Sequence, residues 1–318
     1  MNAAAPKYSH LAASHRVPGL QSQELGVRKL GRKRLRRFAA LSAKSIASGN
    51  PNVIHDVRVA SRRLQQVLDF LCPAPRLPVI RHARNRLRRF RQALGKLRDY
   101  DVFIASIDTR AKSTQFSHQK PVLTVLRQRL INHRVKLVKK SHSVIEDIDV
   151  PALCNNIQTI LRNADAASKS GKAHPIDIHN ALHGLWRDLA SDISKSRREP
   201  RPAILHRVRI KAKRLRYLLE VVEELKLHDA SAPLLALRRL QNQLGQWHDI
   251  EIQTVILLKL TSRKSVSSKI SHHTDQLLSL LHDMHNTKTE AEREYIKMIN
   301  HDEGWKQLQQ WMTAYSKN

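Results

Sequence analysis

Two stretches of the chain occur twice, about 150 residues apart, and this sets narrow limits on the fold. Residues 53–71, VIHDVRVASRRLQQVLDFL, align with residues 204–222, ILHRVRIKAKRLRYLLEVV, with six of nineteen positions identical. Residues 87–102 align with residues 237–252 in nearly the same register, with six of sixteen positions identical. Solenoid repeats are about 20–50 residues long. The longer period therefore predicts two similar groups of secondary structure elements in tandem.

The distribution of glycine and proline predicts an all-α fold. Glycine is scarce, with 9 residues in 318, and the alternating apolar runs that indicate strands are few. Proline is tolerated in the first turn of a helix and breaks a helix interior, so the 12 prolines divide the chain into candidate helices. The predicted helices span residues 22–48, 52–72, 79–108, 120–148, 152–166, 176–197, 203–228, 232–261 and 268–300, with a tail at 303–315.

The repeat and the helices together predict two tandem four-helix bundles related by internal pseudo-two-fold symmetry. Residues 1–19 are expected to form a flexible N-terminal segment, and residues 20–318 one domain. The first half of this domain spans 20–165 and the second half 176–318. A polar linker with glycine and proline, residues 166–175, is expected to join the halves.

The charge of the chain calls for a polyanionic partner. The sequence has 57 Lys and Arg against 27 Asp and Glu, a formal net charge of +30 that repels itself in a compact fold. Nucleic acid, an anionic membrane surface and a phosphate polymer all remain open at this point. Arginine outnumbers lysine by 34 to 23, which favours phosphate or carboxylate ligands because guanidinium groups bind their oxygens two at a time.

The remaining sequence features mainly exclude classes of protein and kinds of site. No apolar stretch approaches the ~20 residues of a membrane span, and the N-terminus has no apolar signal core. Cys72 and Cys154 lie far apart, which predicts neither a disulfide framework nor a cysteine zinc site. A cytoplasmic protein is therefore expected.

Basic residues share one face of two consecutive helices in each half. On one helix of each half the positions recur in the repeat: His55, Arg58 and Arg62 in the first half, and His206, Arg209 and Lys213 in the second. On the next helix the set is Arg84, Arg88, Arg91 and Arg98 in the first half, and Arg238 and His248 in the second. Further candidates flank these faces or lie on neighbouring helices: Arg63, Arg214, Arg216, Arg127 and Arg134.

A single basic helix face usually points to solvent. Here the faces recur in both halves, on helices that must pack together, so burial of unpaired like charge is avoided only if an anion fills the space between them. Asp99 and Asp249 also recur and are expected to cap or pair with the basic groups. The residues therefore predict a concave site for a polyanion.

No catalytic, cofactor or metal site is predicted. His179 and His183 have the i, i+4 spacing of metal ligands, but no third ligand is evident. The motifs GxxxxGK[ST], GxGxxG and HExxH are absent, and no nucleophile–base pair can be identified.

The motif HxxRVxxRRLxxxLxxL at residues 55–71, its echo HxxRIxxKRLRYLLE at 206–220, and the pair LGKLRDYDV and LGQWHDIEI resemble the CHAD domain, the conserved-histidine α-helical domain. The resemblance covers about residues 20–315. It implies two pseudo-symmetric four-helix bundles with basic residues lining a central groove or pore. It also implies binding of inorganic polyphosphate at polyphosphate granules, granule-associated proteins as further partners, and no enzymatic activity. Because the ExExK signature of the triphosphate-tunnel domain is absent, a stand-alone CHAD protein is expected.

The resemblance assigns the phosphate contacts to the basic faces described above, although the two halves are not identical. Gln65 takes the place of Arg216, and Leu234 and Gln241 take the places of Arg84 and Arg91. The alternative is a sequence-independent nucleic-acid-binding protein, which is less favoured because aromatic residues for base stacking are few. A polyphosphate-processing enzyme would need clustered carboxylates to hold a metal ion, and these are too sparse.

Overall fold

The computed structural model describes residues 20–72, 78–169, 177–262 and 271–315, which are almost entirely helical and contain no strand. This confirms the predicted all-α fold. The helices follow the chain as α1 Leu20–Ser48, α2 Pro51–Leu71, α3 Pro78–Lys112, α4 Lys120–Ile148, α5 Val150–Lys169, α6 Ile178–Arg198, α7 Pro202–Glu224, α8 Ser231–Thr261, α9 Thr274–His301 and α10 Glu303–Tyr315. Short 3-10 helices at Thr114–Gln119 and Ser271–His273 precede α4 and α9.

Proline and polar caps set the ends of several helices. Pro51 and Pro202 occupy the first turns of α2 and α7, where a missing N–H group costs nothing. The side chain of Asn50 caps α2 by accepting a hydrogen bond of 2.9 Å from the second backbone N–H of that helix. Asp149 has a left-handed backbone, with φ of 49°, and ends α4. Its carboxylate then accepts a hydrogen bond of 3.0 Å from the backbone of Ala152 and starts α5.

Each half of the described chain contains five α-helices. This agrees with the list of predicted helices, including the tail at 303–315, but is one more than the predicted four-helix bundle. The extra helices arise because a single non-helical aspartate, Asp149 or Asp302, separates two helices that are otherwise contiguous. Helix α5 continues to Lys169, so the first four residues of the predicted linker 166–175 are helical. The rest of that linker and the predicted N-terminal segment 1–19 lie outside the described residues.

The apolar residues form one core in each half and a third core between the halves. The first-half core is centred on α1, α2, α3 and α5, and the second-half core on α6, α7, α8 and α10. The third core joins Phe103 and Leu126 of α3 and α4 to Ile256 and Leu280 of α8 and α9. The second-half core also takes in Val27 and Leu30 of α1 and Val67 of α2. Between the halves α2 packs on α7, and α3 packs on α8. The pseudo-two-fold relation between the halves stays a prediction.

Candidate functional site: a cationic cluster between the two halves

Where α2 meets α7 and α3 meets α8, basic side chains of both halves interact electrostatically. We call this group the central cationic cluster. Its members are His55, Arg58, Arg62, Arg91 and Arg98 from the first half, and His206, Arg209, Lys213, Arg216 and His248 from the second. The charge of Arg62 on α2 lowers the pKa of both Arg209 and Lys213 on α7, so the two repeated faces lie against each other. Ten of the seventeen predicted site residues meet in this way.

Backbone contacts fix the first-half side of the cluster. Arg58 of α2 donates a hydrogen bond of 2.5 Å to the carbonyl oxygen of Arg91 on α3, and Arg91 donates one of 3.4 Å to the carbonyl oxygen of Ser61. The Arg58 guanidinium also lies against Gly95, where a Cβ atom would be 3.4 Å away, an ordinary van der Waals contact.

The second half keeps the hydrogen bond between these two helices, but a neutral glutamine donates it in place of an arginine. Gln241, which replaces Arg91 in the repeat, is buried and donates a hydrogen bond of 3.0 Å to the carbonyl oxygen of Ala212. Ala212 is the counterpart of Ser61 in the repeat. The substitution therefore preserves the link between the two helices and removes one cation from the second-half side.

Two carboxylates face the cluster from equivalent positions. Asp99 on α3 and Asp249 on α8 interact with each other across the helix contact. Burial raises the pKa of each carboxyl, and neighbouring cations, with Arg58 foremost for Asp99 and Arg209 for Asp249, oppose that rise. The cations that interact with these two carboxylates are Arg58, Arg98, Arg209 and Lys213. Arg91 faces Asp69 instead, and Arg216 lies 3.8 Å from Glu220. The cations of the cluster still outnumber the carboxylates around them.

Crowding of like charges changes the protonation of Lys213. Burial is the largest cause, and the cations of Arg209, Arg62 and Arg216 add to it, so that the pKa of Lys213 is lowered to about 7. Burial in the same surroundings lowers the pKa values of Arg58 and Arg91 to about 10. The arginines stay charged at neutral pH, whereas Lys213 is half neutral there.

The three histidines of the cluster are neutral at pH 7 in the free protein. Burial, followed by nearby arginines, lowers the pKa values of His55 and His206, and lowers that of His248 to about 3. The rings of His206 and His248 lie side by side with their centroids 5.4 Å apart. A neutral imidazole can donate only one ring N–H to an anion. In their neutral form these histidines therefore supply hydrogen bonds to a ligand but no positive charge.

Some arginine donors in the cluster have no acceptor. The Nε atoms of Arg62 and Arg209 are buried and make no hydrogen bond with the described residues. A buried donor left unpaired destabilises a protein by about 1–3 kcal/mol. The cluster is therefore complementary to a ligand that brings acceptor oxygens and negative charge.

Two of the predicted contact residues instead join helices. Arg63 of α2 donates from Nε to Glu220 of α7 at 2.8 Å, which forms an ion pair between the halves. Arg84 donates to the carbonyl oxygens of Leu68 and Cys72 at the end of α2 and pairs with a nearby aspartate. The carbonyl of Leu68 also accepts a hydrogen bond of 3.1 Å from the backbone N–H of Cys72. Arg84 therefore adds a side-chain donor where α2 ends and its last carbonyl groups run short of helical donors.

The remaining predicted residues lie outside the cluster or at its edge. Arg127 pairs with Asp108 on an exposed surface, and Arg134 pairs with the buried Asp101, both at 2.5 Å. Three others are exposed: Arg88, Arg214 and Arg238. Of these, Arg88 is close enough to Arg91 to lower its pKa and lies at the cluster edge.

Tyr217 belongs to the site but was missed in the sequence. Its side chain is 5% exposed, and its hydroxyl interacts electrostatically with Arg91 of the first half and Arg209 of the second. The repeat places Gln66 at the equivalent position, so a search for recurring basic residues could not detect it. The one available signal was an aromatic residue inside a basic stretch, KRLRYLLE.

The weaker sequence signals have structural explanations. The ring of His179 stacks on Tyr315 with a centroid distance of 5.1 Å, which accounts for one member of the predicted i, i+4 histidine pair. Within the described ranges no group of three or more His, Cys, Asp or Glu is placed to hold a metal ion. No helix in the same ranges is long and apolar enough to cross a membrane.

These features define an all-α protein of two repeated halves with a cationic cluster where the halves meet. The family model of the CHAD domain matches residues 29–258, and the chain belongs to the CHAD family, as its motifs predicted. Its fold is similar to that of the CHAD domain in a crystal structure from the plant Ricinus communis. That similarity has a TM-score of 0.63 at 17% sequence identity and covers 92% of each chain. No curated protein matches the chain.

Proposed function

We propose that this protein binds inorganic polyphosphate in the central cationic cluster and acts as a binding protein without catalysing a reaction. We place it in the cytoplasm at polyphosphate granules, where granule-associated proteins would be further partners. The observation that carries the proposal is the meeting of six arginines and Lys213 from both halves, with fewer carboxylates than cations around them. The unpaired Nε donors of Arg62 and Arg209 point to the same need for acceptor oxygens.

Accessibility favours a slender phosphate chain over nucleic acid. Most cluster arginines are half-buried between four packed helices, whereas the phosphates of duplex DNA flank grooves about 6–12 Å wide on a broad double helix. Single-stranded nucleic acid is usually bound on exposed aromatic side chains. Tyr217, which adjoins the cluster, is buried and offers no face on which a base can stack.

The first prediction compares these ligands directly. We expect long-chain polyphosphate to bind more tightly than duplex DNA at equal phosphate concentration and fixed ionic strength. Counterion release should make affinity for polyphosphate fall by about tenfold or more for a fourfold rise in salt if ~6 phosphates are contacted. Competition titrations measured by fluorescence anisotropy at several salt concentrations would test this. Displacement of polyphosphate by duplex DNA would refute the choice of ligand.

A matched pair of variants separates the cluster from net charge. Arg58→Gln with Arg62→Gln should weaken polyphosphate binding by at least about 100-fold, because each of the two lost charged hydrogen bonds contributes about 1.5–3 kcal/mol. Arg293→Gln with Lys297→Gln removes the same charge from side chains on α9 that are 73% and 71% exposed. The α9 variant should bind almost as the wild type does. Equal weakening of both variants would mean that polyphosphate responds to overall charge and not to the cluster.

A further inference from the structure

A second cationic surface lies outside the central cluster, in a cleft of about 610 Å³ along α1. One side of this α1 cleft is lined by Lys29, Arg32, Lys33 and Arg36, and the other by Glu224 and Leu225 at the end of α7. At 100° per residue the four basic positions fall within about 100° of one another around α1. They therefore present one continuous basic face to the cleft.

The cleft keeps an excess of positive charge after its ion pairs are counted. Glu224 is shared by Lys33 at 3.7 Å and by the buried Arg34 at 3.2 Å. Lys29 and Arg36 are exposed and have no ion-pair partner among the described residues. The proposed central site does not include either side chain.

Helix α7 connects the cleft to the central cluster. Lys213, Arg216, Glu220 and Glu224 follow at intervals of three or four residues, so they lie on one face of α7. Eleven residues separate Lys213 from Glu224, which corresponds to about 16 Å along a helix. Glu220 lies between the two surfaces and is paired with Arg63 at 2.8 Å and with Arg216 at 3.8 Å. The carboxylates on this path are thus compensated by cations on both sides.

We propose that the α1 cleft is a second subsite for the polyanion, occupied together with the central cationic cluster by phosphate chains long enough to span both. The inference rests on the proposed function and adds chain-length selectivity to it. When the central cluster holds one part of a chain, the rest reaches the cleft at a high effective concentration, and the two contacts combine. A chain too short to span about 16 Å gains nothing from the cleft.

The test uses two ligands and a variant of two exposed residues. Tripolyphosphate and long-chain polyphosphate are titrated into the full chain by calorimetry, and the titrations are repeated with Lys29→Gln combined with Arg36→Gln. We expect the variant to lose about tenfold or more of its affinity for the long chain and to bind tripolyphosphate within about twofold of the wild type. The α9 variant Arg293→Gln with Lys297→Gln serves as the charge-matched control, and thermal melting checks that every variant is folded.

Each outcome has a distinct meaning. Wild-type protein that binds neither ligand would refute the proposed function and with it the subsite. A Lys29 and Arg36 variant that binds long chains as tightly as the wild type does would refute the subsite alone, as would equal loss of both ligands. An equal loss of long-chain affinity in the α9 control would also overturn the subsite, because general charge would then explain the effect.

Discussion

At the scale of residues, Lys213 is the group whose charge depends most on a ligand. Arg62 approaches it from α2, Arg209 and Arg216 from α7, and Asp249 from α8. Burial and these three cations lower its pKa to about 7, and Asp249 only partly opposes them. A bound polyanion would restore a pKa well above neutrality, so binding above pH 7 takes up a proton.

This predicts opposite effects of pH on affinity and on stability. Affinity for polyphosphate should fall by up to about tenfold per pH unit from the free-protein pKa of Lys213, about 7, towards pH 9. Unfolded Lys213 holds its proton up to pH ~10.4. The unfolded state therefore binds more protons over this window, and the free protein should gain up to about 1.4 kcal/mol of stability per pH unit. Titrations and urea unfolding across the same pH range measure the two trends.

The variant Lys213→Arg provides the control for this titration. Arginine keeps its charge at this position because a guanidinium group has a much higher pKa than an amine, so the affinity of the variant should change little between pH 7 and pH ~9. If the variant shows the wild-type pH profile, then another group governs the pH dependence. His248 would not fit, since its pKa of about 3 in the free protein places its titration on the acidic side.

The repeat also separates residues that meet in the cluster from residues that do not. Arg58 and Arg209, which occupy the same position in both halves, converge on the site. Arg84 and Arg127, which have no basic counterpart, form local ion pairs. Arg91 and Arg216 are exceptions, since they lie in the cluster although their counterparts are Gln241 and Gln65. Basic residues that recur in both halves identify most of the site, because equivalent faces of the two halves meet. A basic residue that occurs in one half only does not show which residues lie near it.

At the scale of elements, the positions of the prolines predicted the helices well, whereas the periodicity of apolar residues does not predict how closely the helices pack. Pro51 and Pro202 begin helices as expected. The predicted start of the ninth helix at residue 268 differs from Thr274, because the 3-10 helix Ser271–His273 precedes it. Periodicity also does not show where two helices cross closely at a glycine, and this can be tested by substitution with alanine.

Two glycines should respond oppositely to alanine. A Cβ atom on Gly184 of α6 would meet no atom within 4 Å, so Gly184→Ala should stabilise the protein by about 0.5–1 kcal/mol through helix propensity. A Cβ atom on Gly31 of α1 would lie 3.0 Å from Leu161 and 3.1 Å from Val67, both in the buried core. Gly31→Ala should therefore destabilise it by about 1–3 kcal/mol. Urea unfolding measures both, and a stabilising Gly31→Ala would mean that α1 is not closely packed there.

At the scale of the whole molecule, the contact between the halves was the least predictable part. The repeat predicted two groups of helices, but nothing in it predicted that Phe103 and Ile256 share a third core. The ion pair of Arg63 with Glu220 could not be predicted either. An apolar or charged face indicates that a helix packs against another element, but it does not indicate which one. The contact between the halves nevertheless creates the site, because it brings the two cationic helix faces together.

Repulsion within the central cationic cluster should lower the stability of the protein when no ligand is bound. Lys213→Met keeps the volume and removes a charge held among Arg62, Arg209 and Arg216. We expect it to raise the free energy of unfolding by about 1 kcal/mol or more at pH 7, where charging Lys213 opposes folding, while polyphosphate binding weakens. Thermal and urea unfolding, each with and without polyphosphate, measure both effects.

The neighbouring substitution Lys211→Met gives the opposite expectation. Lys211 pairs with Asp192 at 2.7 Å, and the side chain of that aspartate is 4% exposed. Its loss leaves the carboxylate with Arg207 at 3.4 Å and should destabilise the protein by about 1–3 kcal/mol, with little change in polyphosphate binding. Added polyphosphate should stabilise the wild type and Lys211→Met by mass action, and Lys213→Met much less. If Lys213→Met instead destabilises the free protein as Lys211→Met does, the cluster is internally satisfied and needs no anion.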